Sequence, residues 1–231
     1  MKFILYDVET TGLNVNTCAM HQLSGLILDY DQERNDFQIV KEFDYHMKPL
    51  KGKEVTQESL DLCKVTMEQL REYPDPKEVF NTFQKNLGKF VNKYDPEDKF
   101  FQVGYNINFD KDVLRNWFSD LGDKYFGSWF WPNVIDLMSD ASRCLVNVRP
   151  YMRNFKLGSV AELLGAKVPF DKLHNSLEDV YLSFEVLKKC WSHPAPIPLD
   201  DFEWEVIERN LQDLSAPYEE KHKDKTTYIF E

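Results

Sequence analysis

The chain opens on an apolar run, Phe3-Ile4-Leu5-Tyr6, that ends in Asp7-Val8-Glu9-Thr10-Thr11-Gly12-Leu13. An apolar run closed by Thr-Thr-Gly turn chemistry predicts a buried strand over residues 2–6. Strand side chains alternate faces, so Asp7 and Glu9 project the same way at the end of that strand. Two carboxylates so placed repel each other and raise each other's pKa unless a cation neutralises them. Hard oxygen donors on a rigid strand suit Mg²⁺ or Mn²⁺. The same residues are equally compatible with solvated side chains at a strand-to-turn exit, and Asp-x-Glu alone does not separate the two.

Further strands are expected over residues 22–30, 37–46 and 99–105, with residues 31–36 as a polar hairpin turn. Short helices are expected over residues 56–63 and 66–73. Pro74-Asp75-Pro76 then breaks the chain and starts an amphipathic helix bearing Val79, Phe80, Phe83, Leu87, Phe90 and Val91 on one face. Asn108 is placed as the cap of a helix carrying Val113, Leu114, Trp117 and Leu121, which Gly122 ends. Helical patterns recur over residues 134–144, 157–164 and 176–191. A three-strand meander followed by alternating helix and strand describes an α/β chain, a mixed sheet flanked by helices.

Pro194-Ala195-Pro196-Ile197-Pro198 reads as a stiff linker, which divides the chain into residues 1–193 and a C-terminal extension, 194–231. In the extension, Phe202, Val206, Ile207, Leu211 and Leu214 fit a short amphipathic helix, and Thr226 to Phe230 fit an edge strand. The extension is either an additional packing element or a docking segment for another protein.

An apolar fraction of 42% and an aromatic fraction of 14% exclude a disordered chain. No apolar stretch approaches membrane-spanning length, and Met1-Lys2 leads straight into a strand without a cleavage-site pattern, so a cytoplasmic protein with no membrane partner is expected. Cys18, Cys63, Cys144 and Cys190 stand singly and read as reduced, structural thiols. The net charge of −11 argues against a polyanionic partner, yet Arg143, Arg149, Arg153 and Lys156 form a local +4 with no acid among them, interleaved with Tyr151 and Phe155. Cations with aromatic neighbours suit a single-stranded nucleic acid; a basic loop without a ligand has the same composition.

Two later motifs add carboxylates. In Gly104-Tyr105-Asn106-Ile107-Asn108-Phe109-Asp110, Asp110 falls in the first turn of a helix, where it either complements the helix dipole or brings a third carboxylate to the sheet. In Leu173-His174-Asn175-Ser176-Leu177-Glu178-Asp179, Ser176 and Asp179 fit a capping box, with Ser176 as N-cap and Asp179 at N3. Of the five histidines, only His174 has a carboxylate five residues on at the start of an apolar helix.

Taken in order, Asp-x-Glu, Asn-x-x-Phe-Asp and His-x-x-x-x-Asp resemble the motifs of the DEDDh exonucleases, 3′→5′ nucleases on a ribonuclease-H-like sheet. Proofreading epsilon subunits of bacterial DNA polymerase III belong to that family, and Asp7 to Leu13 looks most like theirs. Segments 134–137 and 157–165 also resemble family segments. The resemblance covers residue 1 to about 190. One departure is Gln22-Leu23-Ser24-Gly25, where many members carry a Glu followed by an apolar residue and Gly; another is Ser176, where Ala is common.

The resemblance implies an α/β, ribonuclease-H-like mixed β-sheet flanked by α-helices. It also implies a two-metal phosphodiester hydrolase. Asp7, Glu9, Asp110 and Asp179 would hold two Mg²⁺, with Mn²⁺ able to substitute. His174, with a reference pKa of about 6.5, would take the proton of the attacking water. Thr10 would meet the terminal 3′-hydroxyl, Leu13 would wedge against the last bases, and Asn106 and Phe109 would line the cleft. The expected substrate is a nucleic-acid 3′ end, DNA favoured over RNA, with an exoribonuclease as the alternative and a non-catalytic binding subunit as the rival from another class. A polymerase or other protein partner would be reached through residues 194–231.

Overall fold

The computed structural model describes residues 1–167, 175–192, 195–198, 201–202, 205–206 and 226–231. A five-stranded sheet runs in the order β3-β2-β1-β5-β6, from β1 (Lys2–Thr10), β2 (Met20–Asp31), β3 (Asp36–His46), β5 (Phe100–Gly104) and β6 (Phe130–Asp136). β1 to β3 form an antiparallel meander, while β5 and β6 run parallel to β1. This is the mixed, helix-flanked sheet expected from the sequence. The hairpin at residues 31–36 closes as its composition requires, with Asp31 Oδ1 accepting from the N–H groups of Glu33 and Arg34 and Asn35 at a φ of 51°.

Period-two alternation sorts β1 onto two cores. Phe3 and Leu5 join Leu26, Leu28 and Val103 under α6 (Leu137–Cys144), α7 (Leu157–Leu163) and α8 (Ser176–Ser192). Ile4, Tyr6 and Val8 face the opposite layer, built from α3 (Pro76–Leu87), α4 (Asn108–Asp120) and the short α5 (Phe126–Trp129). Burying the Val79, Phe80, Phe83 and Leu87 stripe of α3 stabilises that layer by roughly 1.5–3 kcal/mol per side chain. A third, small cluster joins Val55 of β4 (Glu54–Thr56), Leu60 of α1 (Gln57–Cys63) and Leu70 of α2 (Met67–Glu72) to Phe230.

Several expectations need correction. Asn108 does not cap α4 but is its first helical residue, and the cap position, Ile107, makes no side-chain cap bond. β1 does not stop at Tyr6 but continues to Thr10, so the two acids lie within the strand rather than at its exit. α3 ends at Leu87, where Gly88 caps it through a bond to Gln84 O, and Phe90 and Val91 lie beyond it. Residues 130–136 form a strand, not the start of a helix; Pro132 and Asn133 hide the alternation there, and α6 begins only at Leu137 after the Asp136 cap.

The edge strand expected near residue 226 is present as β7 (Thr227–Ile229), which pairs antiparallel with β4. Ile197, Phe202 and Val206 are buried in the core beneath α8. The rest of the helix expected in the extension, including Ile207, Leu211 and Leu214, lies outside the described residues. Among the described residues no helix is long and apolar enough to cross a membrane.

Candidate active site

Two consecutive same-face positions of β1 supply Asp7 and Glu9, and α8 supplies Asp179 from the layer above. Carboxylate oxygens of these three residues lie within 4.8 Å of one another. The helix arrives there because Asn175 Oδ1 accepts from the N–H groups of Leu177 and Glu178, at 3.2 and 3.4 Å, and so caps its first turn. Asn175, not Ser176, is the cap. Ser176 is instead fully buried, and its Oγ donates to Asp7 O at 2.7 Å, tying the helix start to the strand between the two layers.

Asp110 comes from the other layer. β5 pairs with β1 only as far as Leu5 and stops at Gly104, which exposes the next stretch of the β1 edge. The first turn of α4 fills that gap, and Asp110 Oδ1 accepts from Val8 N at 3.1 Å. Val8 lies between Asp7 and Glu9, so the Asp110 carboxylate is held against the same strand segment.

Electrostatics follow from this crowding. Burial, then the charges of Asp110, Glu9 and Asp179, hold the Asp7 carboxyl well above the usual carboxylate range, and the Ser176 bond opposes them. Glu9 is pushed up to about 7, chiefly by burial, against a bond from Cys63 and with the charges of Asp179 and Asp110 adding to the rise. Asp110 is likewise raised to about 7 by burial, opposed by its backbone hydrogen bonds. A compact set of acids whose charged forms are this disfavoured needs a counter-charge to ionise at neutral pH. The donor set, all oxygen and fixed by backbone on a strand and two helix starts, fits a hard divalent cation.

One neighbour was not legible in the sequence. Cys63, the last residue of α1, donates Sγ–H to Glu9 Oε2 at 3.1 Å, so this thiol belongs to the site wall rather than to a core. Burial and the Glu9 charge raise its pKa, keeping it a thiol. Lys64 at φ 56° ends α1 and turns the chain away immediately after it. Asp136 is a second missed residue: its Oδ1 accepts both from Met138 N, capping α6, and from Asn106 N, fixing the turn after β5 at 3.0 Å.

The remaining expected residues fall as follows. Thr10 is buried, with Oγ1 donating to Gly12 O at 2.7 Å. Leu13 is 80% exposed. Asn106 is exposed at φ 59°, and Phe109 is half-buried against the α3–α4 layer. His174 lies outside the described residues. At the departure from the family pattern, Gln22 pairs with Glu9 and Ser24 with Asp7 across the β1–β2 ladder. Gln22 Nε2 and Ser24 Oγ both donate to Asp44 Oδ1, at 2.9 and 2.8 Å, so these side chains are bonded away from the carboxylate cluster.

A family model described as Exonuclease (RNase_T) matches residues 4–187. No curated protein sequence matches the chain. Among solved structures, the zinc-bound form of Escherichia coli exonuclease I with single-stranded DNA superposes with a TM-score of 0.63 at 19% identity, covering 83% of this chain and 40% of that one. Exonuclease I of the same organism with a dA16 oligonucleotide gives 0.63 at 17% identity, over 90% and 42%. An ExoI/SSB-Ct complex gives 0.62 at 17% identity, over 90% and 43%. The chain thus spans about two-fifths of the length of these proteins and shares their fold.

Proposed function

The chain belongs to the exonuclease family, and from that premise we propose that it is a metal-dependent 3′→5′ exonuclease acting on DNA, single-stranded 3′ ends above all, with nucleoside 5′-monophosphates as products. The observation that carries the reading is the convergence of Asp7, Glu9 and Asp179 to within 4.8 Å, with Asp110 locked to the backbone between the first two. Asp7, Glu9, Asp110 and Asp179 would hold two ions of the Mg²⁺ or Mn²⁺ type. When bound, such ions supply Lewis acidity toward phosphoryl oxygens and an acidified water.

The chain's own groups do the rest. A strand and two helix starts fix the carboxylates before substrate arrives, so little reorganisation is needed at the moment of reaction. His174, which precedes the α8 cap Asn175 in sequence, is assigned the proton of the attacking water. Thr10 is assigned to the terminal 3′-hydroxyl, the exposed Leu13 to the last bases, and Asn106 and Phe109 to the cleft wall.

DNA is favoured because the structural relatives at hand were solved with DNA oligonucleotides. The ExoI/SSB-Ct complex offers a precedent for a protein partner. We extend the reading to a cytoplasmic role in repair or proofreading, with residues 1–193 as the exonuclease domain and 194–231 as an extension available to a polymerase or another protein.

The test offers 3′-labelled single-stranded DNA and RNA of one sequence with Mg²⁺. The expected result is stepwise release of labelled mononucleotide, faster from DNA, and loss of at least about 1000-fold in turnover for Asp7→Ala. Faster removal of ribonucleotides would reverse the substrate ranking. Unaltered turnover in Asp7→Ala would end the hydrolytic reading.

A further inference from the structure

Residues 143–156 carry four cations and no acid. Arg143, Arg149, Arg153 and Lys156 are all exposed, with no acid between them, in a chain of net charge −11. The stretch is firmly placed. Tyr105, the residue after β5, donates its hydroxyl to Phe155 O at 2.6 Å. The Arg149 guanidinium lies 5.2 Å from the centre of the Phe155 ring and donates Nη1–H to Met152 O at 3.2 Å. Asn154 Oδ1 accepts from Lys156 N and Ser159 Oγ, at 3.0 and 2.9 Å, which sets the bend into α7. Buried Met152 anchors the loop in the core beneath α8.

The other end of this assembly is the carboxylate cluster. Tyr105 leads into Asn106, bonded to Asp136, and then into the first turn of α4, where Asp110 is bonded to Val8 between Asp7 and Glu9. A short, hydrogen-bonded stretch therefore connects the acids to an exposed row of cations and rings.

We infer that Arg149, Arg153 and Lys156, with Tyr151 and Phe155 beside them, form a track that binds the phosphates and bases of a single-stranded nucleic acid on its way to the carboxylates. The inference deepens the nuclease reading above and rests on it for the identity of the ligand. A guanidinium offers paired donors that match two phosphate oxygens, and aromatic faces accept any base by stacking. The overall negative charge repels a polyanion from the rest of the surface, so the strand is received where the local sign reverses.

The experiment measures anisotropy of a fluorescein-labelled oligothymidylate, about fifteen nucleotides long, with the full chain in EDTA across a range of KCl. Arg149→Ala/Arg153→Ala/Lys156→Ala is expected to weaken binding at least about tenfold at low salt. It should also flatten the plot of log affinity against log salt by about 0.7 for each cation removed. Arg153→Glu/Lys156→Glu leaves the Arg149–Phe155 contact intact and is expected to weaken binding by a similar or larger factor. Replacement of the three by Arg149→Lys/Arg153→Lys/Lys156→Arg is expected to restore most of the affinity. Equal affinity and salt slope in wild type and both charge variants, or no binding by wild type, would overturn the inference. Binding that depends on these residues in a protein that hydrolyses no strand would leave the track standing and remove the nuclease reading instead.

Discussion

Cys63 Sγ donates a hydrogen bond to Glu9 Oε2 at 3.1 Å, across 54 residues of sequence. A donor on this oxygen fixes the carboxylate's rotamer and favours its charged form. Cys63→Ser keeps a donor and is expected to shift the Mn²⁺ concentration for half-maximal nuclease activity by less than about threefold, whereas Cys63→Val is expected to raise it roughly 10–100-fold. The check is a metal titration of activity for both variants; equal values would show that the thiol is a bystander.

Metal-free stability should fall as pH rises. Glu9 and Asp110 are raised to about 7 in the folded protein, from ordinary values near 4. An acid raised by folding stabilises the native state most below its unfolded pKa, and that contribution is lost as pH rises through the folded value. In EDTA the melting temperature should therefore drop between about pH 5 and pH 8. Glu9→Gln should resist that drop, matching wild type near pH 5 and melting higher near pH 8, by on the order of 3 kcal/mol at most for the full shift. Added Mg²⁺ should raise wild type and not Glu9→Gln to the same extent, as the proposed binding of the ion by the charged carboxylate requires. Differential scanning fluorimetry across pH, with and without metal, reads all of this.

Gly104 ends β5 where the chain turns toward Asp110. A Cβ there would lie 2.6 Å from Ile107 Cδ1 and 2.9 Å from Tyr6 O. The second neighbour is backbone and cannot swing aside. Gly104→Ala is expected to cost about 1–3 kcal/mol, a fall of several degrees in melting temperature, and to lower activity by displacing the α4 start. A wild-type melting curve and turnover would contradict this placement.

Ser176→Ala removes the bond to Asp7 O inside a closed interface. The expected loss is about 1 kcal/mol, read as a shift of about 2–4 °C in melting temperature, with activity retained because Asp7's carboxylate keeps its other neighbours.

Local patterns placed the four acids on a strand and near helix starts, while their union in one site was legible only through the resemblance to the exonuclease motifs. Asp7 and Glu9 share a face because strands alternate, and Asp110 and Asp179 lie near helix starts, whose signals are short-range. The β1–β3 meander was legible for the same reason. β6 was not, since Pro132 and Asn133 interrupt its pattern and its strand state comes from pairing with β5. The α8 cap is Asn175 rather than Ser176: both residue types are good caps, and only the buried bond from Ser176 to Asp7 decides between them. Cys63 reaches Glu9 only through tertiary packing, so its sequence neighbourhood carried no sign of the role.

β7 has a consequence out of proportion to its length. Gln57 N bonds to Thr226 O, Phe230 N to Lys53 O, and Phe230 seals the small cluster under Leu60, so residues 226–231 clamp the base of the helix that ends in Cys63. Residues 226–231 thereby brace the thiol that holds the Glu9 carboxylate. Removing residues 226–231 should surface as a higher requirement for divalent ions well before the main sheet loosens.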